Sequence, residues 1–515
     1  MSAEAAPPAP PAPNPNRWWT LGVVCVGIFM LLLDITVVNV ALPEIERDLG
    51  ATFAELQWVV DAYALTLAAL MLTAGSVADR IGRRLVFSIG LAVFAASSLA
   101  CGLAPTATWL DVLRGVQGVG GAIMFACSLA LIGTVFHGRE RGVAFGAFGA
   151  VAGGALAVGP LVGGALTEGL GWEWIFFLNV PIGLAALAIT LRHVDESRDP
   201  RGGGVDLPGL VTWSVALFLL IFALVRGNAE GWGSLPIAGS LVASAVLLVA
   251  FVVRELTTEH PMLDLSLLRV PSFAGAAIVG FTLSASLYAM FLYITLYLQN
   301  VLGHSPLDAG LQLLPLTLLS LVVAPISGRL TAHVPMRIPL GLALLLIAIA
   351  LVLMSPVDAD STWTVLLPGF LVAGVANGMV NPPLASVQIG VVEPGRSGMA
   401  SGIGNTFRQV GTATAIAAYG AIFEHRVADK TLAAVDAGTR GALSATGELG
   451  QAIASGQVSE IAARLPAAAR EPFEHAVRAG FTGALHELFL IAAVVALVGS
   501  IGGFALVRRR DLVSH

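Results

Sequence analysis

Apolar residues in this chain come in runs of about twenty, separated by short polar punctuation. The runs stand at 18–41, 54–76, 85–104, 109–132, 141–165, 173–192, 208–226, 235–254, 273–300, 308–330, 337–355, 363–388, 398–424 and 484–507. A bilayer core about 30 Å thick is crossed by roughly 20 residues of α-helix, so each run predicts one span, fourteen in all. Alternation with period two, the mark of a membrane-barrel strand, is missing. An even number of crossings brings both ends of the chain to the same side.

Composition agrees with this pattern. Hydrophobic residues make up 56% of the 515 and charged residues 12%, with a mean hydropathy of +0.84. A soluble domain is about 25% charged and has no way to hide so much apolar surface. The net charge of −6 decides little, because the loops and the segment 425–483 carry most of it. Cys25, Cys101 and Cys127 all lie in apolar runs and read as small buried hydrophobes, without a disulfide framework. Residues 1–17, with Ala-Pro repeats and Asn14-Pro15-Asn16, predict a disordered tail. The run after Arg17 is too long for a signal-peptide core and lacks a cleavage site, so it is expected to remain as the first helix.

Arginine distribution orients the spans. One set of short loops and ends holds Arg17, Arg80, Arg83, Arg84, Arg139, Arg141, Arg192, Arg198, Arg201, Arg254, Arg269, Arg329, Arg337, Arg396 and Arg508 to Arg510; the other holds Arg47 and Arg226. Both termini are therefore expected in the cytoplasm, 508–515 being a short second tail. The Ala-rich segment 425–483, interrupted by Pro466 and Pro472, is expected outside, as a helical hairpin on the surface. Arginine in place of lysine, with abundant Ala and Gly, suggests a GC-rich bacterial genome, and the membrane is expected to be the bacterial cytoplasmic one.

Between the second and third spans stands Gly75-Ser-Val-Ala-Asp79-Arg80-Ile-Gly82-Arg83-Arg84. Its carboxylate can face the positive N-terminus of a neighbouring helix and bias one conformation, a contact worth about 0.3–1 kcal/mol exposed and about 2 when partly buried. The loop resembles the G-x-L-A-D-R-x-G-R-[RK] gate of the major facilitator superfamily. That resemblance implies a late helix as partner, here the thirteenth span, starting near Ser397. Span 4 carries Arg114-Gly-Val-Gln117-Gly118-Val-Gly120-Gly121, similar to the family's R-x-x-Q-G-x-G element. An arginine inside an apolar helix costs about 2.5–3.5 kcal/mol unless it faces protein or water. It is expected either in the central cavity, near a carboxylate, or snorkelling to the outer surface.

Span 5 is dense in small residues and contains Gly159-Pro160-Leu-Val-Gly163-Gly164, which resembles the motif of antiporters, although Ala155 stands where the family usually has glycine. Such residues let backbones approach closely in any carrier. Span 1 (Leu33-Asp34-Ile-Thr36-Val-Val-Asn39), span 6 (Gly171-Trp172-Glu173-Trp174 to Asn179) and span 13 (Arg396-Ser-Gly398 to Asn405, Arg408, Gln409 and Gly411) are similar to the fourteen-helix drug:H⁺ antiporter branch. Glu173 departs from the basic residue usual between the two tryptophans. Gly328 to His333 sits where a second gate loop belongs, without its acid.

The resemblance implies a major facilitator fold, all-α, with six-helix bundles at 18–192 and 272–507 and two inserted linker helices at 206–254. It implies proton-coupled efflux of hydrophobic or cationic drugs or antibiotics, with no cofactor besides the proton gradient. Partners are then an amphipathic small molecule, protons and membrane lipids, and the protein is expected to work as a monomer. A lipid-like envelope metabolite is the alternative cargo.

Ionisable groups inside the membrane are functional candidates. Asp34 lies about sixteen residues into its span; a buried carboxylate holds its proton more readily than one in water, as a proton-coupled carrier needs, though it could also be tied to a fixed donor. Asp61 is a second proton candidate or faces outside water. For cargo, Asn39, Tyr288, Phe291, Tyr293, Asn377, Asn381, Asn405, Arg408 and Gln409 offer polar and aromatic contacts; the aromatics pack on lipid in the plainer reading, and Arg408 meets either the cavity or lipid headgroups. No H-E-x-x-H, no phosphate-binding G-x-x-x-x-G-K-[ST], no nucleophile with a neighbouring base and no nucleic-acid patch is present, which argues against an enzyme, and no metal site is expected.

Overall fold

The computed structural model describes residues 15–51, 53–136, 138–198, 206–258, 261, 263–331, 333–393, 396–435, 449–454, 458–508 and 511. Helices α1 (Arg17–Leu49), α2 (Phe53–Ile81), α3 (Arg83–Cys101), α4 (Ala107–Val135), α5 (Gly138–Leu170), α6 (Trp174–Phe177) and α7 (Asn179–His193) build a first half. Two further helices come next, α8 (Leu207–Glu230) and α9 (Leu235–Thr257). The second half comprises α10 (Pro271–Leu283), α11 (Ala289–Leu296), α12 (Pro306–Gln312), α13 (Leu314–Leu330), α14 (Arg337–Met354), α15 (Leu367–Gly390), α16 (Ser397–Ala434), the short α17 (Leu449–Ala454) and α18 (Val458–Arg464), and α19 (Ala467–Leu506). Among the described residues eleven helical segments are long and apolar enough to cross a membrane, which makes this a multi-pass α-helical membrane protein. The predicted spans on α5, α13 and α16 are not among the eleven. The first two contribute shorter apolar stretches, Leu161–Leu170 and Leu314–Leu330, and α16 is interrupted by polar side chains such as Asn405 and Arg408.

Local chemistry sets where helices begin and end. The Thr106 hydroxyl accepts from the Trp109 amide, and Asp206 accepts from Gly209 ahead of a first turn that tolerates Pro208. Gly50, at φ 60°, closes α1, which continues past Pro43 and beyond the predicted end of the first span. In α15 the paired Pro382 and Pro383 cannot donate to the carbonyls four residues back. The Ser327 hydroxyl of α13 supplies the missing donor to Met379, at 2.7 Å.

Each half has its own apolar core, around Val24, Phe87, Phe94 and Phe145 in the first and Phe273, Leu351, Phe370 and Phe489 in the second. The halves meet backbone to backbone at two crossings. A methyl group on Gly75 of α2 would overlap the Gly398 carbonyl of α16; one on Gly142 of α5 would overlap the Gly328 carbonyl of α13. Only glycine fits there, and both crossings lie near the arginine-rich loops.

Helix α8 straddles the halves. Its Ile221 packs with Leu65 and Ala68 of α2 and Ala413 of α16. Ser214 and Thr73 of α2 share a hydrogen bond of 2.8 Å, and the Asn228 amide donates to the Ala417 carbonyl of α16 at 3.0 Å. Helix α9 leans on α8 through Ser244 to the Ala216 carbonyl and through Trp213 against Phe251.

Over the described residues of the predicted outer segment 425–483 the chain is largely helical. Helix α16 runs unbroken to Ala434 and α19 already starts at Ala467, so two spans are prolonged and pack on each other. The reason is apolar pairing: Phe423 meets Phe481 edge-on at 4.8 Å, Val427 and Phe473 are fully buried, and Glu487 ties Arg426 and Lys430 at 3.0 and 3.1 Å. Residues 436–448 and 455–457 of that segment, the tail residues 1–14, and 509, 510 and 512–515 of the second tail lie outside the described residues.

Candidate functional site

Four helices of the first half converge on Asp34. From α4, Arg114 forms an ion pair with Oδ2, and the Gln117 amide donates to Oδ1 at 2.8 Å; from α7, Asn179 donates to Oδ1 at 3.1 Å. Ser98 of α3 completes the network as acceptor from Gln117 at 2.6 Å and from Asn179 at 3.3 Å. The arginine also donates to the Val59 carbonyl of α2 at 2.9 Å and to Gln117 Oε1 at 2.7 Å, and it lies 4.2 Å above the Tyr63 ring. Both charged side chains are 1% exposed. Two ions so far from water persist only because each neutralises the other and the remaining donors and acceptors are satisfied.

Arg114 thus does not snorkel to the surface, and it has the carboxylate neighbour expected from sequence. It is sealed inside the first bundle, where its counter-ion is. Asp61 is not part of this network. It stands on α2 beside Arg226 of α8, at 3.7 Å, and Arg226 also holds Glu230 at 3.0 Å and Gln57 at 3.0 Å while lying over the Trp58 ring.

The loop between α2 and α3 is tied to the start of α16. Asp79 accepts from the amides of Gly398 at 3.0 Å and Met399 at 2.8 Å, at the N-terminus of α16, and from Arg83 at 2.8 and 2.6 Å. A carboxylate there meets both free amides and the helix dipole. Gly82 has φ 138°, and a side chain at this position would run into Glu196, whose carboxylate caps the amides of Arg84 and Leu85. Arg80 donates to the Pro261 carbonyl at 2.9 Å and Arg396 pairs with Asp264 at 2.9 Å, so the segment after α9 is fastened to the same place.

Helix α5 uses its small residues on two sides. Gly159 and Gly163 lie against Thr36 and Val37 of α1, and Gly142, Gly146 and Gly149 face Gly328, Pro325 and Asn381 of the other half. Gly164 is open, and Pro160 takes its place within the helix.

In the second half, Tyr288 donates to Asn377 at 2.8 Å, Asn377 to Ser320 at 3.0 Å and Asn381 to the Asn377 carbonyl at 2.8 Å; Arg408 reaches Asn381 at 3.3 Å and Tyr288 at 3.4 Å. Tyr288 ends a π-helical turn, Ser284–Tyr288, of the kind that often marks functional positions. Phe291 stacks near Tyr288 at 6.0 Å. Tyr293 is turned into the bundle against Phe423, with its hydroxyl on the Ile416 carbonyl. Asn405 is buried on Ser401, Asn39 is exposed and bonds its own helix, and Gln409 is half-buried beside Arg408.

Comparison with known proteins places this geometry. The family model of the Major Facilitator Superfamily matches residues 24–416. The chain belongs to the major facilitator superfamily. Among curated major facilitator relatives, the tetracenomycin C resistance and export protein of Streptomyces glaucescens is 34% identical over 491 residues, covering 94% of this chain and 90% of that one. The multidrug resistance protein Stp of Mycobacterium tuberculosis is 35% identical over 412 residues, 79% of this chain and 76% of that one. Among solved structures, the human organic anion transporter MFSD10 superposes with a TM-score of 0.60 at 16% identity, covering 95% of this chain and all of that one, and so shares the fold. The resemblance to drug and antibiotic exporters read from the motifs therefore stands, and the protein is a transporter by family.

Gln117, Asn179, Ser98 and Tyr63 were given no role from sequence. Their signal was available as polar residues at similar depth in consecutive spans, but which of them share a level is set by helix rotation, which periodicity alone does not reveal.

Proposed function

We propose that this major facilitator protein exports hydrophobic, amphipathic drugs or antibiotics from the bacterial cytoplasm by proton antiport, as a monomer of fourteen spans with both termini inside. Two six-helix bundles and the inserted pair α8 and α9 make up the fourteen. The observation that carries the reading is the buried Asp34–Arg114 pair within a chain whose relatives are named for drug resistance.

A proton delivered to Asp34 removes the negative charge that Arg114 needs, and the guanidinium is left with the Val59 carbonyl and Gln117. An uncompensated buried charge is worth about 3–5 kcal/mol, enough to repack α1 against α4. Because α1 lies on Gly159 and Gly163 of α5, and α5 lies on the other half, a shift at Asp34 has a short route to the seam between halves. Asp79 on the N-terminus of α16 holds the arginine-rich side shut, which in this reading is the cytoplasmic side of an outward-facing state. Asp61, tied to Arg226, acts as a secondary group at the outer end.

Everted vesicles test this directly. Energised vesicles containing the protein should accumulate a lipophilic fluorescent drug and release lumenal protons when the drug is added. Drug accumulation that persists after a protonophore abolishes the pH gradient would refute the coupling. A lipid cargo on the same fold is not favoured by the relatives.

A further inference from the structure

The charged side chains at the sites described above come with opposite charges: Arg114 with Asp34, Arg83 with Asp79, Arg226 with Asp61 and Glu230. Arg408 is different. Among the described residues it makes no ion pair, and its guanidinium reaches only neutral oxygens, Asn381 at 3.3 Å and Tyr288 at 3.4 Å. Charge-assisted bonds settle near 2.7–2.9 Å, so this cation is held loosely by acceptors that do not neutralise it.

A second defect lies beside it. Gln388 of α15 is 4% exposed, and its Nε2 has no acceptor among the described residues. Gly280 of α10 separates the two: a methyl placed there would lie 3.3 Å from Arg408 Cγ and 3.8 Å from Gln388 Nε2. A buried donor without a partner costs about 1–3 kcal/mol. From the opposite half, Arg141 of α5 also makes no ion pair among the described residues, and it approaches Ile389, the neighbour of Gln388, across Gly133. The cluster is at the seam, since Asn381 Cβ sits 3.6 Å from the methyl position of Gly149.

An unneutralised guanidinium calls for an acidic oxygen, and an anionic group has acceptors to offer the orphan amide donor as well. The Tyr288 ring lies 5.5 Å from the guanidinium and Phe291 lies next to Tyr288, so the surroundings suit a flat conjugated body. We infer that Arg408, with Gln388 and Tyr288, forms an acid-recognition subsite, and that the preferred cargo is a planar aromatic compound bearing a carboxylate, phenolate or enolate. This rests on the efflux reading for its physiological direction and replaces the cationic preference expected from sequence.

The test uses the full chain in phosphatidylcholine nanodiscs, where no lipid headgroup carries net charge, with two probes: 4,5-dihydroxyanthraquinone-2-carboxylate and ethidium. Binding is followed by fluorescence, and uptake is measured separately in energised everted vesicles. Arg408→Gln should weaken the anthraquinone roughly 10–100-fold, the scale of a lost charged hydrogen bond, and change ethidium less than about twofold. Arg408→Lys should recover part of the loss, and Gln388→Leu should weaken the anthraquinone several-fold by itself. Equal affinity of Arg408→Gln and wild type for the anthraquinone overturns the subsite, and so does an equal loss for both probes, which marks a structural role. Uptake separates the two readings. If vesicles accumulate ethidium while the anthraquinone does not bind, the subsite is wrong and efflux stands; if the anthraquinone binds through Arg408 but neither probe moves, efflux is wrong and the subsite stands.

Discussion

Replacing Asp34 by Asn keeps the shape of the side chain and removes only its charge. The amide oxygen can still accept from Gln117 and Asn179, now at 2.8 and 3.1 Å. Its nitrogen then points a donor at Arg114, itself all donors, with 1% of that side chain exposed. Removing one partner of such a pair costs about 3–5 kcal/mol. That is a large share of an ordinary fold's margin of about 5–15 kcal/mol. Asp34→Asn should therefore show a lower thermal unfolding midpoint in detergent and reduced yield, and Arg114→Gln should suffer comparably. The double variant has no orphaned charge and should recover most of the loss, a coupling of at least about 2 kcal/mol in the cycle. It should still fail to drive drug accumulation with a proton gradient, because the primary proton-carrying group is gone and Asp61, tied to Arg226, is only secondary. Single variants as stable as wild type would refute the account of burial, and a double variant that transports normally would refute the account of coupling.

Gly75→Ala should pry open the closed end, since its methyl group meets the Gly398 carbonyl; with Cys25, Cys101 and Cys127 replaced, Ser401→Cys, fully buried here, should react with a maleimide about tenfold faster in that background, and an unchanged rate would count against the crossing as a seal. Asp61→Asn should cost no more than about 1 kcal/mol, because its partner is 3.7 Å away and Arg226 keeps Glu230; a loss equal to that of Asp34→Asn would invert the ranking of the two acids. The Asp264 carboxyl lies outside the spans. Burial pushes its pKa up, but bonds from Ser266 and Arg396 outweigh this and hold it below the usual 3.8. A depressed carboxylate contributes fully above its unfolded value and loses that contribution as pH falls through the folded one. Proteolysis in the loop between α9 and α10 should then be flat from pH 7 to about 4 and rise only below, and a rise between pH 7 and 5 would contradict the pairing.

Much of the architecture was legible because its causes are local. Span positions come from apolar runs; Asp79 asked for the positive end of some helix, and it was the family resemblance that pointed to the one starting at Ser397. The partner of Arg114 was half legible: a carboxylate was expected, but that it is Asp34 depends on how α1 and α4 are rotated against each other. Tyr293 shares the apolar stretch of Tyr288, yet five residues of α-helix place the two rings on different faces, and they part company. The pairing of Asp61 with Arg226 joins residues far apart in the chain through an inserted helix, and no local pattern encodes that. Helices α16 and α19 run past the predicted spans because side-by-side packing of Val427, Phe473 and Phe481 stabilises helix where hydropathy has already faded.

Helix α8 is buttoned to one half at Ser214 and to the other at Asn228. Whichever half moves must slip a fastening and do it up again on every turnover. In the proposed transport cycle a strut at the seam can thus set the pace of movement, a lever separate from the residues proposed to hold the cargo.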